Sequence, residues 1–254
     1  MENGVKSLVS IFAAMMLFLL AGCGGVNSPG PTPTPILASN QWTWENGSTA
    51  VDQPGVYGTQ GIAGAGNTPG GRSYASTWTD AAGNFWLFGG YGADPTRAQG
   101  DLNDLWKYSA GQWTWVSGSN YIEQPGTYGT QGTPAVSNVP GARYQAASWT
   151  DVSGNFWLFG GLGIDSTGTR ERLNDLWKFS AGQWTWMGGS NLHADYQPGV
   201  YGTQGAAAPA NIPGGRDSGV SWIDRSGNLW LFGGGNYLSI AHGGKFNDLW
   251  MYQP

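Results

Sequence analysis

The chain has 254 residues with 11 Lys and Arg against 16 Asp and Glu, a formal charge of −5. That balance carries no electrostatic footprint for nucleic acid. Its 44 Gly and 14 Pro, close to a quarter of the chain, exclude a coiled coil or helical bundle, since these are the two worst helix formers. Fifteen Trp argue against disorder, so composition predicts an all-β chain rich in turns with aromatic side chains in its core.

In chain order, residues 1–22 come first and differ from the rest. Lys6 precedes an apolar run from Leu8 to Leu20 that is too short to span a bilayer comfortably. A basic residue, a short apolar stretch and small residues before a cut site describe a secretory signal. The run ends in Leu20-Ala21-Gly22-Cys23, which resembles the bacterial lipoprotein signal. The resemblance implies cleavage before Cys23, lipidation of that residue and an exported protein held on the membrane. Gly24 after the Cys favours the outer membrane or cell surface if the cell has an outer membrane. Cys23 is the single cysteine, so disulfides are not expected. Residues 23–40, with Pro29, Pro31, Pro33 and Pro35 among Gly, Ser and Thr, read as a semi-extended tether of roughly 3 Å per residue.

Residues 41–254 are a threefold repeat. Gln-Trp-Thr-Trp begins at Gln41, Gln112 and Gln183; Trp-Leu-Phe-Gly-Gly at Trp86, Trp157 and Trp230; Asn-Asp-Leu-Trp at Asn103, Asn174 and Asn247; and Tyr-Gly-Thr-Gln-Gly at Tyr57, Tyr128 and Tyr201. The period is 71 to 73 residues and all 15 Trp fall on it, five per repeat. Each repeat parses into four short strands. In the first, strand a covers Arg72 to Thr79, strand b Phe85 to Phe88, strand c Leu105 to Tyr108 and strand d Trp113 to Val116. Gly83-Asn84 and Ser109-Ala110-Gly111 supply the short turns. Four-stranded repeating units predict blades of a β-propeller.

The Gly-Gly doublets Gly89-Gly90, Gly160-Gly161 and Gly233-Gly234, each followed by Asn-Asp-Leu-Trp and a further Trp, resemble kelch repeats. The resemblance covers Gln41 to Pro254 and implies an all-β, kelch-type β-propeller with three four-stranded blades per chain. The repeat is longer than the usual kelch figure of about 50 residues, the excess lying after strand d. The chain opens on an orphan strand d, Gln41 to Trp44, and its last strand is a strand c, Leu249 to Tyr252. The orphan strand is expected to complete the last blade, either within one chain or in a homodimer forming a six-bladed ring.

In such a blade the d-a and b-c connections share one face and the short turns the other, so the tether leaves the short-turn face and the long connections point away from the membrane. The d-a motif, with Tyr57, Gln60, Tyr128, Gln131, Tyr201 and Gln204, recurs and reads as structural. The b-c segments, Tyr91 to Asp101, Leu162 to Arg172 and Gly235 to Lys245, do not recur and read as loops free to bind. They nominate Tyr91, Asp94, Arg97, Asp165, Arg170, Arg172, Tyr237 and His242 as ligand-binding residues. Solvated loops without a ligand are the plain alternative.

Among recurring residues, Trp42, Trp44, Trp86 and their copies are expected in the core or between blades. Asp104, Asp175 and Asp248 are expected to accept backbone N–H groups where strand c begins. Arg72, Arg143 and Arg216 are expected to bond between blades, and Asp80, Asp151 and Asp224 to head the a-b turns.

Some kelch-type propellers are copper radical oxidases, whose chemistry needs a Cys-crosslinked Tyr, a second Tyr and two His. Here Cys23 belongs to the signal and only His193 and His242 remain, which argues against that activity. Zinc-site spacing, a nucleophile elbow and phosphate-binding loops are also missing from the sequence. No catalytic residue, metal or cofactor is assigned. The expected function is a membrane-anchored binding module for a glycan or protein partner. The alternative is a metal-free carbohydrate-processing enzyme, isomerase or mutarotase-like, with its site in the axial mouth.

Overall fold

A computed structural model describes residues 40–192, 198–236 and 244–254. The signal, Cys23 and nearly all of the tether lie outside the described residues, as do His193, Tyr237 and His242. The chain from Trp44 to Pro254 forms one compact unit. Its regular structure is wholly antiparallel β.

Sheet one is built from β1 (Arg72–Ser73), β2 (Ser76–Thr79), β3 (Phe85–Ala93), β4 (Gln99–Ser109) and β5 (Gln112–Ser117), with β3 paired to β1, β2 and β4, and β4 to β5. Sheet two repeats it with β6 (Arg143–Tyr144), β7 (Ala147–Thr150), β8 (Phe156–Ile164), β9 (Arg170–Ser180) and β10 (Gln183–Gly188). Sheet three has three strands, β11 (Val220–Ile223), β12 (Leu229–Phe232) and β15 (Leu249–Tyr252). Between the last two, β13 (Gly235–Asn236) pairs with β14 (Gly244–Lys245). Among the described residues no strand pairing closes the sheets into a ring or barrel.

The strands are where the repeat puts them, with four corrections. Strand a is broken in two, because Tyr74 takes a left-handed φ of 58° between β1 and β2. The Gly doublet does not end strand b in the first two repeats, although in the third β12 stops at Phe232 as expected. Gly89 and Gly90, at φ 62° and 100°, form a bulge through which β3 continues to Ala93. Strand c accordingly begins at Gln99, and the expected b-c loops of the first two repeats are strand hairpins closed by five-residue turns. Finally, Gln41–Trp44 forms no strand, and Trp42 and Trp44 are exposed rather than in the core.

The glycine bulge sets the spacing between sheets. A Cβ on Gly89 would stand 2.6 Å from the Arg143 carbonyl oxygen, and one on Gly160 would stand 2.8 Å from that of Arg216. Glycine is required twice over there, by φ and by the backbone of the next sheet.

Aromatics fill the junctions. Trp78 of sheet one stacks on Phe156 of sheet two with ring centroids 5.3 Å apart. Trp86 meets Phe156 and Phe179, Phe88 meets Trp184, and Trp157 of sheet two meets Tyr252 of sheet three. Each buried side chain of this size contributes about 1.5–3 kcal/mol, which favours sheet-on-sheet contact over isolated sheets. The Trp149 indole N–H also donates to the Trp230 carbonyl at 3.0 Å. Sheet two thus lies between the other two.

Within each repeat the charged residues converge. The Arg72 guanidinium grips Asp104 with both amino groups, at 2.6 and 2.8 Å. Tyr57 O–H and Trp106 Nε1–H both donate to Oδ2 of the same carboxylate at 2.7 Å. Arg143, Asp175, Tyr128 and Trp177 repeat this, and so do Arg216, Asp248, Tyr201 and Trp250. The Asp therefore accepts side-chain donors rather than the expected backbone N–H groups. The Arg side chain works within its own repeat, donating also to the Gly70 and Gly89 carbonyls in the first copy. The expected bonding between repeats is made by the main chain of Arg216, whose N–H donates to the Leu173 carbonyl and whose carbonyl accepts from Gly161 N–H.

Asp80, Asp151 and Asp224 head the a-b turns as expected. Asp80 Oδ1 accepts the backbone N–H of Ala82 and Asn84, and Oδ2 accepts the Trp86 indole N–H.

Candidate functional site

The residue after each repeat Arg breaks the pattern, and so does the next. They read Ser73-Tyr74, Tyr144-Gln145 and Asp217-Ser218. Yet Tyr74, Gln145 and Ser218 share a left-handed backbone, with φ of 58°, 55° and 57°. A non-glycine residue in that conformation costs about 1–2 kcal/mol. Here it is held by main-chain bonds that run across the sheets, from Gln145 N–H to the Tyr74 carbonyl at 3.1 Å and from Ser218 N–H to the Gln145 carbonyl at 2.9 Å. The three sheets meet along this line. The backbone takes the same conformation in each copy while the side chains differ.

Around it lies an exposed aromatic and charged cluster. The Tyr144 ring is 6.0 Å from Tyr74 and 5.8 Å, edge-on, from Tyr91. Arg170 lies over the Tyr144 ring at 5.6 Å and donates to its hydroxyl at 3.4 Å. Arg170 also holds Asp101 through Nε and Nη2 at 2.9 and 3.1 Å. Asp101 is fully buried, and its backbone N–H donates to Glu123 Oε1 at 3.0 Å. Burial pushes the Asp101 carboxyl above its ordinary value, against the opposing pull of Arg170. Arg170 is held more firmly protonated by its bonds to Asp101.

The nominated residues separate into three groups. Tyr91 and Arg170 stand in the cluster, on β3 and β9 respectively. Asp94 and Asp165 are buried at the hairpin turns. Asp94 Oδ1 accepts the Thr96 N–H and hydroxyl and the Ala98 N–H, while Asp165 Oδ1 does the same with Thr167 and Thr169. These bonds hold the Asp94 carboxyl below its ordinary value although burial acts the other way. Arg97 is exposed at φ 72°, where the second copy has Gly168 at 88°. Arg172 pairs with Asp217 at 2.6 Å and so ties sheet two to the start of sheet three. Tyr237 and His242 lie outside the described residues.

Tyr74, Tyr144 and Asp101 were not nominated from the sequence. The signal for Tyr74 and Tyr144 was the pair of divergent positions beside an invariant Arg, a smaller break in the repeat than the long b-c segments, while Asp101 is the last residue of the first such segment. Among the described residues no group of three or more His, Cys, Asp or Glu could hold a metal ion.

No protein-family profile matches the chain, and no curated protein does. Solved structures give distant likenesses. One is the structure of YjhT, at 16% identity and a TM-score of 0.37, covering 68% of this chain and 61% of that one. Another is a fungal alcohol oxidase of the AA5 family in complex with copper, at 13% identity and a TM-score of 0.27, covering 66% of this chain and 40% of that one. The chain thus spans less than two thirds of either, and neither likeness carries an argument about this chain.

Proposed function

We propose that the three sheets are kelch-type propeller blades, and that the chain is a membrane-anchored extracytoplasmic binding module whose ligand sits on the Tyr74–Tyr91–Tyr144–Arg170 cluster. The blade reading is supported by the a-b-c-d antiparallel order, the repeated glycine bulge and the face-to-face junctions. The anchor reading is supported by the Leu-Ala-Gly-Cys sequence at Cys23.

One observation carries the binding reading. Three tyrosines and an arginine are gathered, partly exposed, around a backbone line common to the three sheets, at positions where the repeat stops repeating. Tyrosine offers a broad apolar face with a polar tip at low conformational cost, and a pinned arginine offers directed donors. Such a surface suits a glycan, whose C–H faces stack on rings and whose hydroxyls accept from guanidinium.

The test is retention on immobilised glycans of the wild type beside Tyr74→Ala and Tyr144→Ala. Retention that both variants lose while keeping their thermal midpoint supports the reading. Equal retention by all three would sink it, and capture of a protein alone would redirect it to a protein ligand.

A further inference from the structure

The two ends of the sheet array are unfinished in complementary ways. At the first junction, one face of sheet one meets the opposite face of sheet two: Trp78, Trp86 and Phe88 against Phe156, Phe179 and Trp184. Among the described residues no further sheet packs on their counterparts on sheet three, where Trp222 stacks only on Trp230 of its own sheet. Trp78 and Trp149 are 5% and 7% exposed, but Trp222 is 43%; Phe88 and Phe159 are 1% and 4%, but Phe232 is 41%. Leu249 and Met251 on the same face are exposed too. At the other end Phe85 of sheet one is 56% exposed, whereas its counterparts Phe156 and Leu229 are 4% and 2%. One open face thus carries the residues that donate at every internal junction, and the other those that receive.

Among the described residues sheet three also has no strand in the place that β5 and β10 hold in the other two. In sheets one and two, β5 and β10 each accept three bonds from the preceding d-a segment. Gly61 N–H donates to the Trp115 carbonyl, and Gly64 N–H and Asn67 Nδ2 donate to that of Trp113. Gly132, Ala135 and Asn138 repeat the pattern on Trp186 and Trp184. At Gly205, Ala208 and Asn211 these bonds have no counterpart among the described residues. Tyr57 lies between Trp106 and Trp115, and Tyr128 between Trp177 and Trp186, whereas among the described residues Tyr201 meets one ring, Trp250, and is half exposed. The residue one period before Trp115 is Trp44, within the unpaired Gln41–Trp44.

We infer that a second copy of this chain completes the array, with sheet three of each copy packed on sheet one of the other and Gln41–Trp44 of each entering the other's sheet three beside β15. The spacing favours exchange between copies. Tyr128, the tyrosine of sheet two, lies thirteen positions after Trp115 in sheet one, and Tyr57 of sheet one lies thirteen positions after Trp44. The Gln-Trp-Thr-Trp strand therefore belongs to a sheet lying before sheet one, while the sheet that lacks it lies beyond sheet two. Two copies supply both, as six sheets with two equivalent junctions, within the four to eight blades that close a propeller. The inference rests on the blade reading above and not on what the tyrosine cluster binds.

The register is specified. Lys107 pairs with Thr114 and Lys178 with Thr185, which places Met251 of one copy opposite Thr43 of the other. The test uses the full chain in mild detergent, with Cys23→Ser to leave no other thiol, as two single variants, Thr43→Cys and Met251→Cys. Sedimentation of the wild-type chain is expected to give twice the chain mass. Mixing the two variants under mild oxidant is expected to give a covalent dimer on a non-reducing gel, and neither alone should give it as efficiently. Phe232→Asp is expected to reduce the dimer fraction at least tenfold.

A monomer mass would overturn the inference. So would open-ended polymers, or a disulfide that forms only when both substitutions share one chain. Self-completion within a monomer would leave the blade reading standing, so the two failures are distinguishable. Should Phe232→Asp fail to fold, the cysteine mixture still decides.

Discussion

Arg143 and Asp175 face each other as a two-point ion pair, at 2.6 and 2.7 Å, with neither side chain exposed to solvent. Two neutral donors, the Tyr128 hydroxyl and the Trp177 indole, complete the carboxylate. A buried pair returns its desolvation cost only when its remaining hydrogen-bonding capacity is met, and these donors meet it. Burial and the Asp175 charge together raise the Tyr128 hydroxyl pKa well above its ordinary value, so it stays a donor at any working pH.

Because the constellation recurs in three settings, the same substitution can be ranked. Asp175→Asn strands a fully buried guanidinium and is expected to cost about 3–5 kcal/mol. Asp248→Asn is expected to cost less, since the Asp248 side chain is 14% exposed. Urea unfolding of both variants checks the order. Equal losses would mean that burial does not set the value of the pair.

Acid should destabilise the protein in a defined window. Hydrogen bonds from the Trp86 indole and Asn84 hold Asp80 at about 2 although burial acts upward, and Asp224 lies at about 2 through Trp230 and Asn228. Asp248 is at about 2 through Arg216, Trp250 and Tyr201, again against burial. A carboxylate depressed on folding contributes stability above its unfolded pKa of about 3.9 and loses it as pH falls through its folded value. Urea midpoints should therefore be nearly flat from pH 5 to 8 and fall between about pH 4 and 2. Asp101, raised by burial, contributes with the opposite sign but is a single group.

Two glycines separate conformation from contact. A Cβ on Gly154, at φ 80°, would meet nothing within 4 Å, so Gly154→Ala is expected to cost about 1–2 kcal/mol through its left-handed backbone alone. A Cβ on Gly160, at φ 63°, would stand 2.8 Å from both the Arg216 and Leu173 carbonyls. Gly160→Ala should lose a further 1–3 kcal/mol or so by forcing the sheets apart. Thermal midpoints of the pair read the difference.

Arg170→Lys tests the arginine within the cluster. Lysine keeps the charge but cannot reproduce the two-point grip on Asp101 or lie flat on Tyr144. Stability is expected to fall by about 1–2 kcal/mol, discounted because Arg170 is 43% exposed. Glycan retention should fall with it, and a variant that retains both properties would show that charge alone suffices.

The repeat on its own determined a good deal: an all-β chain, the places of its main strands, short turns at Ala110-Gly111 and Gly83, and Asp80 at the head of its hairpin. These are local, written in residues a few positions apart. What converges on Asp104 was not legible there, although Arg72 lies 32 residues before it and Tyr57 47 residues before it in every copy. In a regular repeat every pair of lattice positions keeps its spacing, so constancy cannot reveal which pairs touch. The glycine bulge was read as a strand end because a doublet of glycines interrupts a strand and turns a chain equally well; the carbonyl of the next sheet decided between them. Tyr74, Tyr91 and Tyr144 come from three separate stretches of chain, and only the packing of sheet two on sheet one brings their rings together.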